Sequence, residues 1–552
     1  MATRHNIFGG WAIIMFMFIS IFWALFFMAG LPERLLGRPK ENIIYLRGTV
    51  SEDLRIVDAT VILDENLTVI GADLYLCRCW VYLIRKNISI CICGGATLYS
   101  NHTYIICAGA SCRILVYSGG YMGIHNTYLI GFWKGEPNIL LLGGSANITH
   151  SILVDVSDIH IEASPKCWIF DSSLSLNGNM NIVSSRNIVV SDSEIVSEQI
   201  NIVRSRHMEI SNSKIIGTIR IEDSYGVMLA KDNVEYGGIL INDNKTTLDT
   251  LYITNVSIDG KEFLLIKHQE GLVIRDGAHS YLLLAFSSNI EIVGVETGHL
   301  SIIASKNVSI SQSNIINFAI RHSKNISATS LSIANLNAFN VSRLLIESAS
   351  RISSIMLNRI SYARIINSSN IGSLDITNSA DVHVNGSTVR SIDIISAKNV
   401  VLANNIISHI NLGKGVSSVT LYRNELLDGI QIEPTSNLST TKFIENTING
   451  RELTVIRNAT HMSIDGFSGG LLIISCSGIS IHNSNIFQLI VSNSVNVTLK
   501  NTTLELGNVC IINSTNIIFD TCSLMNASIT IRTVSYTHLR AHETEADLVC
   551  RL

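Results

Sequence analysis

Along most of the chain, apolar side chains recur at fixed offsets from a turn-forming residue. In Asn307–Ile315 (N-V-S-I-S-Q-S-N-I), Val308, Ile310 and Ile315 fall one, three and eight places after Asn307. Phe318 and Ile320 extend the pattern to places eleven and thirteen, as do Ile392 and Ile394 after Asp381, and Ile410 and Leu412 after Asn399. The same rule is written at 187–195, 207–215, 325–333, 381–389, 399–407, 478–486, 496–504 and 516–524. Starts at positions 289, 307 and 325 are evenly spaced, whereas those at 187 and 207 stand slightly further apart. A period that drifts by one or two places marks an array of stacked coils. Each coil offers only four or five aliphatic side chains to an interior, so it folds only by covering its neighbours.

The offsets choose among solenoids. A leucine-rich repeat needs at least ~20 residues and normally a helical segment per turn. Here the remainder of each unit is another alternating run, such as Asn317–Ile320. A left-handed hexapeptide helix would repeat an apolar place at every sixth position, and a calcium-binding nonapeptide array would show G-G-x-G-x-D. Neither pattern is present. The prediction is an all-β, single-stranded, right-handed parallel β-helix over 181–533, preceded by atypical first coils over 42–180. At ~4.8 Å per coil and ~19 residues per turn this implies roughly 25 coils and a rod on the order of 120 Å. Asn289, Asn307, Asn325, Asn399, Asn496 and Asn516 open coils, where Asn tolerates left-handed backbone. Stacked, they form a structural asparagine ladder.

These repeats resemble the PbH1-type right-handed parallel β-helix family, in its NosD-like and carbohydrate-binding or sugar-hydrolase group. The resemblance covers most of 181–530. It implies the fold, but the family mixes hydrolases, lyases, binding modules and structural spikes, so it implies no one activity.

Composition agrees with strands and turns. Prolines number five, at 32, 39, 137, 165 and 434, which suits long ladders that need every backbone donor. Charged residues are 15%, the net charge is −4 and no basic run occurs, which argues against a nucleic-acid partner. Trp11–Leu31 is an uncharged apolar stretch long enough to span a bilayer core. It is read as an uncleaved transmembrane signal-anchor after a short flank (1–10), with a cleaved signal peptide as the alternative. Residues 32–41 are a juxtamembrane linker, and everything from 42 onward is placed outside the cell. Arg4 before the span, against Arg34, Arg38 and Lys40 after it, mildly opposes that orientation.

The first coils carry Trp80, Trp133 and Trp168 and seven of the eleven cysteines. Cys77/Cys79 and Cys91/Cys93 are C-x-C pairs, so each places two sulfurs on one strand face. Two stacked disulfides, packed core thiols, and a metal site of poorly matching spacing all remain open for them. The aromatics either cover the first coil or stack on sugar rings, and Tyr128 and Trp133 are the best exposed candidates for sugar contact.

For chemistry, the densest charges at equivalent offsets are Asp192, Glu194, Lys214 and Lys231, with Glu222 and Asp223 nearby. Paired carboxylates there would suit acid–base chemistry; alternating signs suit a ladder of surface ion pairs. No metal or cofactor is predicted. Many N-x-[ST] triplets, among them Asn87, Asn147 and Asn340, would carry glycans on an extracellular chain. Residues 534–552 abandon the pattern and resemble the peptide translated from sequencing-adapter DNA, so they are excluded from the fold and the natural C-terminus is expected elsewhere. The functional expectation is a membrane-anchored surface β-helix that acts as a structural or glycan-interacting module without catalysis. A polysaccharide lyase or hydrolase of the same fold is the first alternative. An accessory protein for a surface metalloenzyme, as the NosD-like resemblance implies, is the second.

Overall fold

The computed structural model describes residues 42–532 and 538–539, apart from 109–110, 133–137, 243, 434–435, 437, 506–507 and 526–527. The chain divides into two compact units, 1–252 and 253–552. Each is a parallel β-solenoid of the right-handed type. In the second unit, Ser288 lies beside Lys306 and Lys306 beside Lys324, so equivalent positions on successive turns stand 18 apart. In the first unit the coils lengthen and then shorten along the chain, starting from a spacing of 17 between Ile43 and Thr60. Trp80 pairs in register with Tyr104 and Tyr104 with Tyr128, a spacing of 24, whereas Arg206 pairs with Tyr225 at a spacing of 19.

The apolar offsets fill the interior. Val308, Ile310, Ile315, Phe318 and Ile320 are each no more than 1% exposed, and they belong to one apolar column within the second unit. Burying such side chains contributes about 1.5–3 kcal/mol apiece.

What bends the strands into coils is left-handed backbone at three corners per turn. Asn307, Gln312 and His322 have φ of 53°, 51° and 52°, and one coil later Asn325, Ser330 and Asn340 have 57°, 54° and 53°. For a residue with a Cβ such backbone costs roughly 1–2 kcal/mol, least for Asn and Asp. Buried hydroxyls offset that cost. The Ser287 N–H donates to Ser305 Oγ and the Ser305 N–H to Ser323 Oγ, while Ser305 Oγ donates to the Ile303 carbonyl. An equivalent column in the first unit runs through Ser164, Ser185, Ser205 and Ser224. In the second unit Asn405, Asn424 and Asn446 take over the place of serine.

Among the described residues, several local features depart from a uniform array. Val256–Ile258 and Thr447–Ile448 each turn back on the following strand as antiparallel hairpins, through Asp259-Gly260 and Asn449-Gly450. Their left-handed φ values, 48° and 76°, then 48° and 73°, are those a two-residue hairpin needs. A six-residue helix, Lys245–Thr250, is capped by Asn244, whose Oδ1 accepts from the Thr246 N–H. Near the second hairpin, Gln488 uses its carboxamide as a strand would. It accepts from the Ile430 N–H and donates to the Ile430 carbonyl, 58 residues away.

The predicted anchor Trp11–Leu31 lies outside the described residues. Among the described residues no helix is long and apolar enough to cross a membrane. Of the excluded tail only His538–Leu539 is described, as a short strand parallel to Ile518–Phe519.

Candidate functional site

The charged residues singled out from the sequence do not converge. Lys214 Nζ sits 3.4 Å from Glu194 on one side and 3.4 Å from Glu235 on the other. The Glu194 contact, ahead of Glu235, holds the lysine pKa above its ordinary value. Asp192 and Lys231 are corner residues with φ of 50° and 57°. Asn212 occupies the corner of the coil between them, and Ser191 Oγ donates to Asp192 at 2.6 Å. Glu222 is gripped by Arg220 Nε at 2.8 Å, and Asp223 accepts from the Asn242 and Asn244 amides at 2.9 Å each. Exposed pairs of this kind contribute about 0–1 kcal/mol. The arrangement is a ladder of surface ions, with Asp223 on the lining of a shallow recess.

A carboxylate pair that the sequence reading missed lies in the second unit. Asp375 and Asp393 face outward on adjacent strands in direct register, with Asn411 next in the column. The Asn411 amide donates to Asp393 Oδ1 at 3.0 Å. Burial, and then the charge of Asp393, raise the pKa of Asp375. The signal was present as Ser-x-Asp-Ile at 373–376 and again at 391–394. Two shallow recesses, one at the 204–246 corner and one at the 286–361 corner, include neither aspartate. Both side chains are half-buried.

The coil-opening asparagines form exposed chains of amides. Asn325 Nδ2 donates to Asn307 Oδ1, and Asn307 Nδ2 to Asn289 Oδ1. Asn516 donates to Asn496, and Asn399 to the carboxylate of Asp381. These contacts link successive corners side chain to side chain.

The C-x-C cysteines do not pair. Cys77, Cys79, Cys91 and Cys93 are free thiols. Successive coils here are offset by 23 or 24 positions, so the step from one C-x-C pair to the next ends on a different strand of the turn. Cys77 lies over Asn101, whereas Cys91 and Cys93 lie over Thr68 and Ile70. The disulfide in this region joins Cys107 to Cys112. Tyr128 is half-buried in a stack with Tyr104 and Trp80, at centroid spacings of 4.8 and 4.6 Å. It packs against the coil below and does not project from a loop; Trp133 lies outside the described residues.

The most differentiated surface is another face of the first unit. Its strands are Asp73–Cys77, Thr97–Asn101, Tyr121–His125, Ser145–Thr149 and Cys167–Phe170, all parallel and in register. Outward positions follow the two-residue strand alternation. The middle outward row reads Tyr75, Tyr99, Gly123, Asn147, Trp168, with Tyr121 beside the glycine. A Cβ at Gly123 would lie 3.0 Å from Tyr99 and 3.2 Å from Tyr121 ring carbons. Glycine thus lets both rings settle against the sheet; a side chain there would require them to give by a few tenths of an ångström. Tyr75, Tyr99 and Trp168 remain 37%, 37% and 43% exposed. Lys166 Nζ lies 3.5 Å from the Trp168 ring centroid.

One edge of this face carries three imidazoles. His125 lies 6.5 Å from His102 and 5.1 Å from His150, ring centre to ring centre and edge-on. His125 Nδ1 contacts Thr149 Oγ1 at 2.7 Å, and His150 Nε2 is 3.3 Å from Asp171. Burial, then its two histidine neighbours, lower the pKa of His125. Among the described residues no cluster of three or more His, Cys, Asp or Glu has the arrangement of a metal site.

No family model matches the chain, and no curated protein matches it. Among solved structures, similarity is found to the "Structure of PL6 family alginate lyase AlyGC", at 8% identity over 92% of this chain and 98% of that one, with a TM-score of 0.18. A point mutant of that lyase aligns over the same shares at 8% identity and a TM-score of 0.12. Scores this low bear on neither the site nor the activity.

Proposed function

We propose that the protein is a glycan-binding β-solenoid without catalysis of its own, held at a membrane by Trp11–Leu31 and engaging polysaccharide through the aromatic face of its first unit. The observation that carries this reading is the row Tyr75–Tyr99–Gly123–Asn147–Trp168 with Tyr121 at its side. Rings lying on a flat sheet offer apolar faces to pyranose rings, while the hydroxyls of Thr97, Ser145 and Thr149 flank them for hydrogen bonding. A pyranose residue is about as long as the ~4.8 Å step between strands. A chain laid along the row therefore meets equivalent positions on successive coils.

Binding of the full chain to a panel of soluble polysaccharides tests this. Tyr99→Ala and Trp168→Ala should each weaken the best ligand by about fivefold, in line with ~1 kcal/mol per aromatic contact, with unchanged melting. Retention of full affinity by the double variant would remove the proposal.

A second reading, hydrolysis or lyase cleavage, draws on Asp375 and Asp393. Two neighbouring carboxyl groups, of which Asp375 has its pKa raised, can divide the roles of acid and base. Release of new chain ends from the same panel, abolished by Asp393→Asn, would replace the binding reading with this one.

A further inference from the structure

The corner that leads into strand Arg206–Ser211 carries permanent positive charge. Arg204 takes left-handed backbone at φ 48°, Ser205 is buried, and Arg206 opens the strand. Arg186 lies in direct register with Arg206 on the preceding coil, at the ~4.8 Å step between strands. Like charges placed directly opposite one another in a sheet are destabilising. Arg78, Arg220 and Arg423 each grip a carboxylate, that of Asp58, Glu222 and Glu445 respectively. The guanidiniums of Arg186, Arg204 and Arg206 have no ion pair and no hydrogen-bond partner among the described residues. Arg204 and Arg206 line a recess of about 600 Å³ together with Ser205, Asp223, Tyr225, Asn244 and Thr246. Asp223 is the one carboxylate on that lining, and its Oδ1 already accepts from the Asn242 and Asn244 amides. Glu222, beside it in sequence, is held by Arg220. The recess therefore keeps an excess of positive charge, and Arg186 adds to it from the neighbouring coil.

A guanidinium is a planar fork that donates two parallel N–H bonds to an oxyanion, and it stays charged at every physiological pH. One fork already fills the two oxygens of a carboxylate. Two forks on one recess call for more acceptors, and the hydroxyls of Tyr225 and Thr246, also without a partner among the described residues, add donors. Sulfate and phosphate groups present three or four oxygens and enough charge to offset the repulsion among the arginines. We infer that this recess is a binding site for a tetrahedral oxyanion, a phosphate or sulfate group, clamped by Arg204 and Arg206 with Arg186 adding charge. The site stands whether or not the aromatic face binds glycan. Its ion arrives either free or as an ester on a polymer. Strand Arg206–Ser211 lies two coils beyond Cys167–Phe170 in the same sheet, so a chain laid along the rings would reach it after about 10 Å.

Calorimetric titration of the full chain with inorganic phosphate and with sulfate, at an ionic strength held constant by chloride, tests this. Saturable binding at a single site is expected. Arg204→Asn, which suits the left-handed corner, and Arg206→Gln should each weaken it about tenfold, the scale of one charge-assisted contact, with unchanged melting. Arg206→Lys keeps the charge without the fork and should recover only part of that loss. Asp223→Asn should tighten binding severalfold, whereas Lys398→Gln, which removes an exposed charge of the second unit, should change nothing. A sulfated polysaccharide and its unsulfated parent separate the two sources. A preference for the sulfated polymer that Trp168→Ala diminishes assigns the site to an ester on a glycan; a free ion bound as tightly as the polymer assigns it to a small anion. Absence of saturable binding by both ions and by the sulfated polymer overturns the inference. So does binding that Arg204→Asn and Arg206→Gln leave unchanged, or that Lys398→Gln weakens equally.

Discussion

At the scale of the residue, the fold depends on corners at which non-glycine side chains accept left-handed backbone. Asparagine announces some of these corners in the sequence. Serine does not, because the buried hydroxyls of Ser287, Ser305 and Ser323 look the same on paper as the exposed serines beside them. Their difference lies in the amide of the neighbouring coil, which only register supplies. Ser305→Ala would leave the Ser287 N–H buried without an acceptor, and it should destabilise the second unit by about 1–3 kcal/mol. Faster hydrogen exchange at the Ser287 amide would be its local signature. Asp232 tests the corner from the other side. It stands one coil beyond Ser213 in the same place, accepts from the Ser213 and Ala230 N–H groups, and is 2% exposed. Burial pushes its carboxyl up to about 6 from an ordinary 3.8. A folded-state pKa above the unfolded one means stability that is full below pH 3.8 and lost as pH rises through about 6. The cost at pH 8 is on the order of 3 kcal/mol. Asp232→Ser, matching Ser193 and Ser213, should therefore raise the melting temperature at pH 8 and not at pH 4. An equal effect at both values would show that ionisation is not the cause.

At the scale of the element, strands were legible wherever the period was constant. The offsets from Asn307 identify five interior side chains of one coil, because a single vertical column must stay dry along the whole stack. Phe318 is the bulkiest of them, and Phe318→Ala should cost about 3–5 kcal/mol by urea titration, since neighbouring coils cannot collapse into the space. Where coil length varied, the same reading failed. Around the cysteines at 77–93 the coils advance by 23 or 24 positions, longer than the turn of the later coils. The two hairpins could have been found from Asp-Gly and Asn-Gly between apolar runs. The aromatic face could not. Tyr75, Tyr99, Gly123 and Trp168 lie on separate coils, far apart along the chain, and only register unites them. Gly123→Val tests the element directly, because it removes no ring. By shifting Tyr99 and Tyr121 it should weaken the proposed glycan binding by about tenfold, with about 1–3 kcal/mol lost from stability.

At the scale of the whole molecule, each unit is a sequence of similar turns, and stability accrues turn by turn and from the contact of each turn with the next. The hydrogen bonds described for the corners have the same form at every step: an amide on one coil, a hydroxyl or carboxamide on the following coil. Length is consequently a free variable for evolution in this chain. Copying residues 306–323 in tandem adds one whole turn, whose upper and lower surfaces match those it separates. Such a duplication should leave the melting temperature within a few degrees of the parent, whereas an insertion of half a turn at the same point should unfold the surrounding coils. Gain or loss of whole turns would then yield shorter and longer variants, each able to fold, and the aromatic face of the first unit would be carried along unchanged.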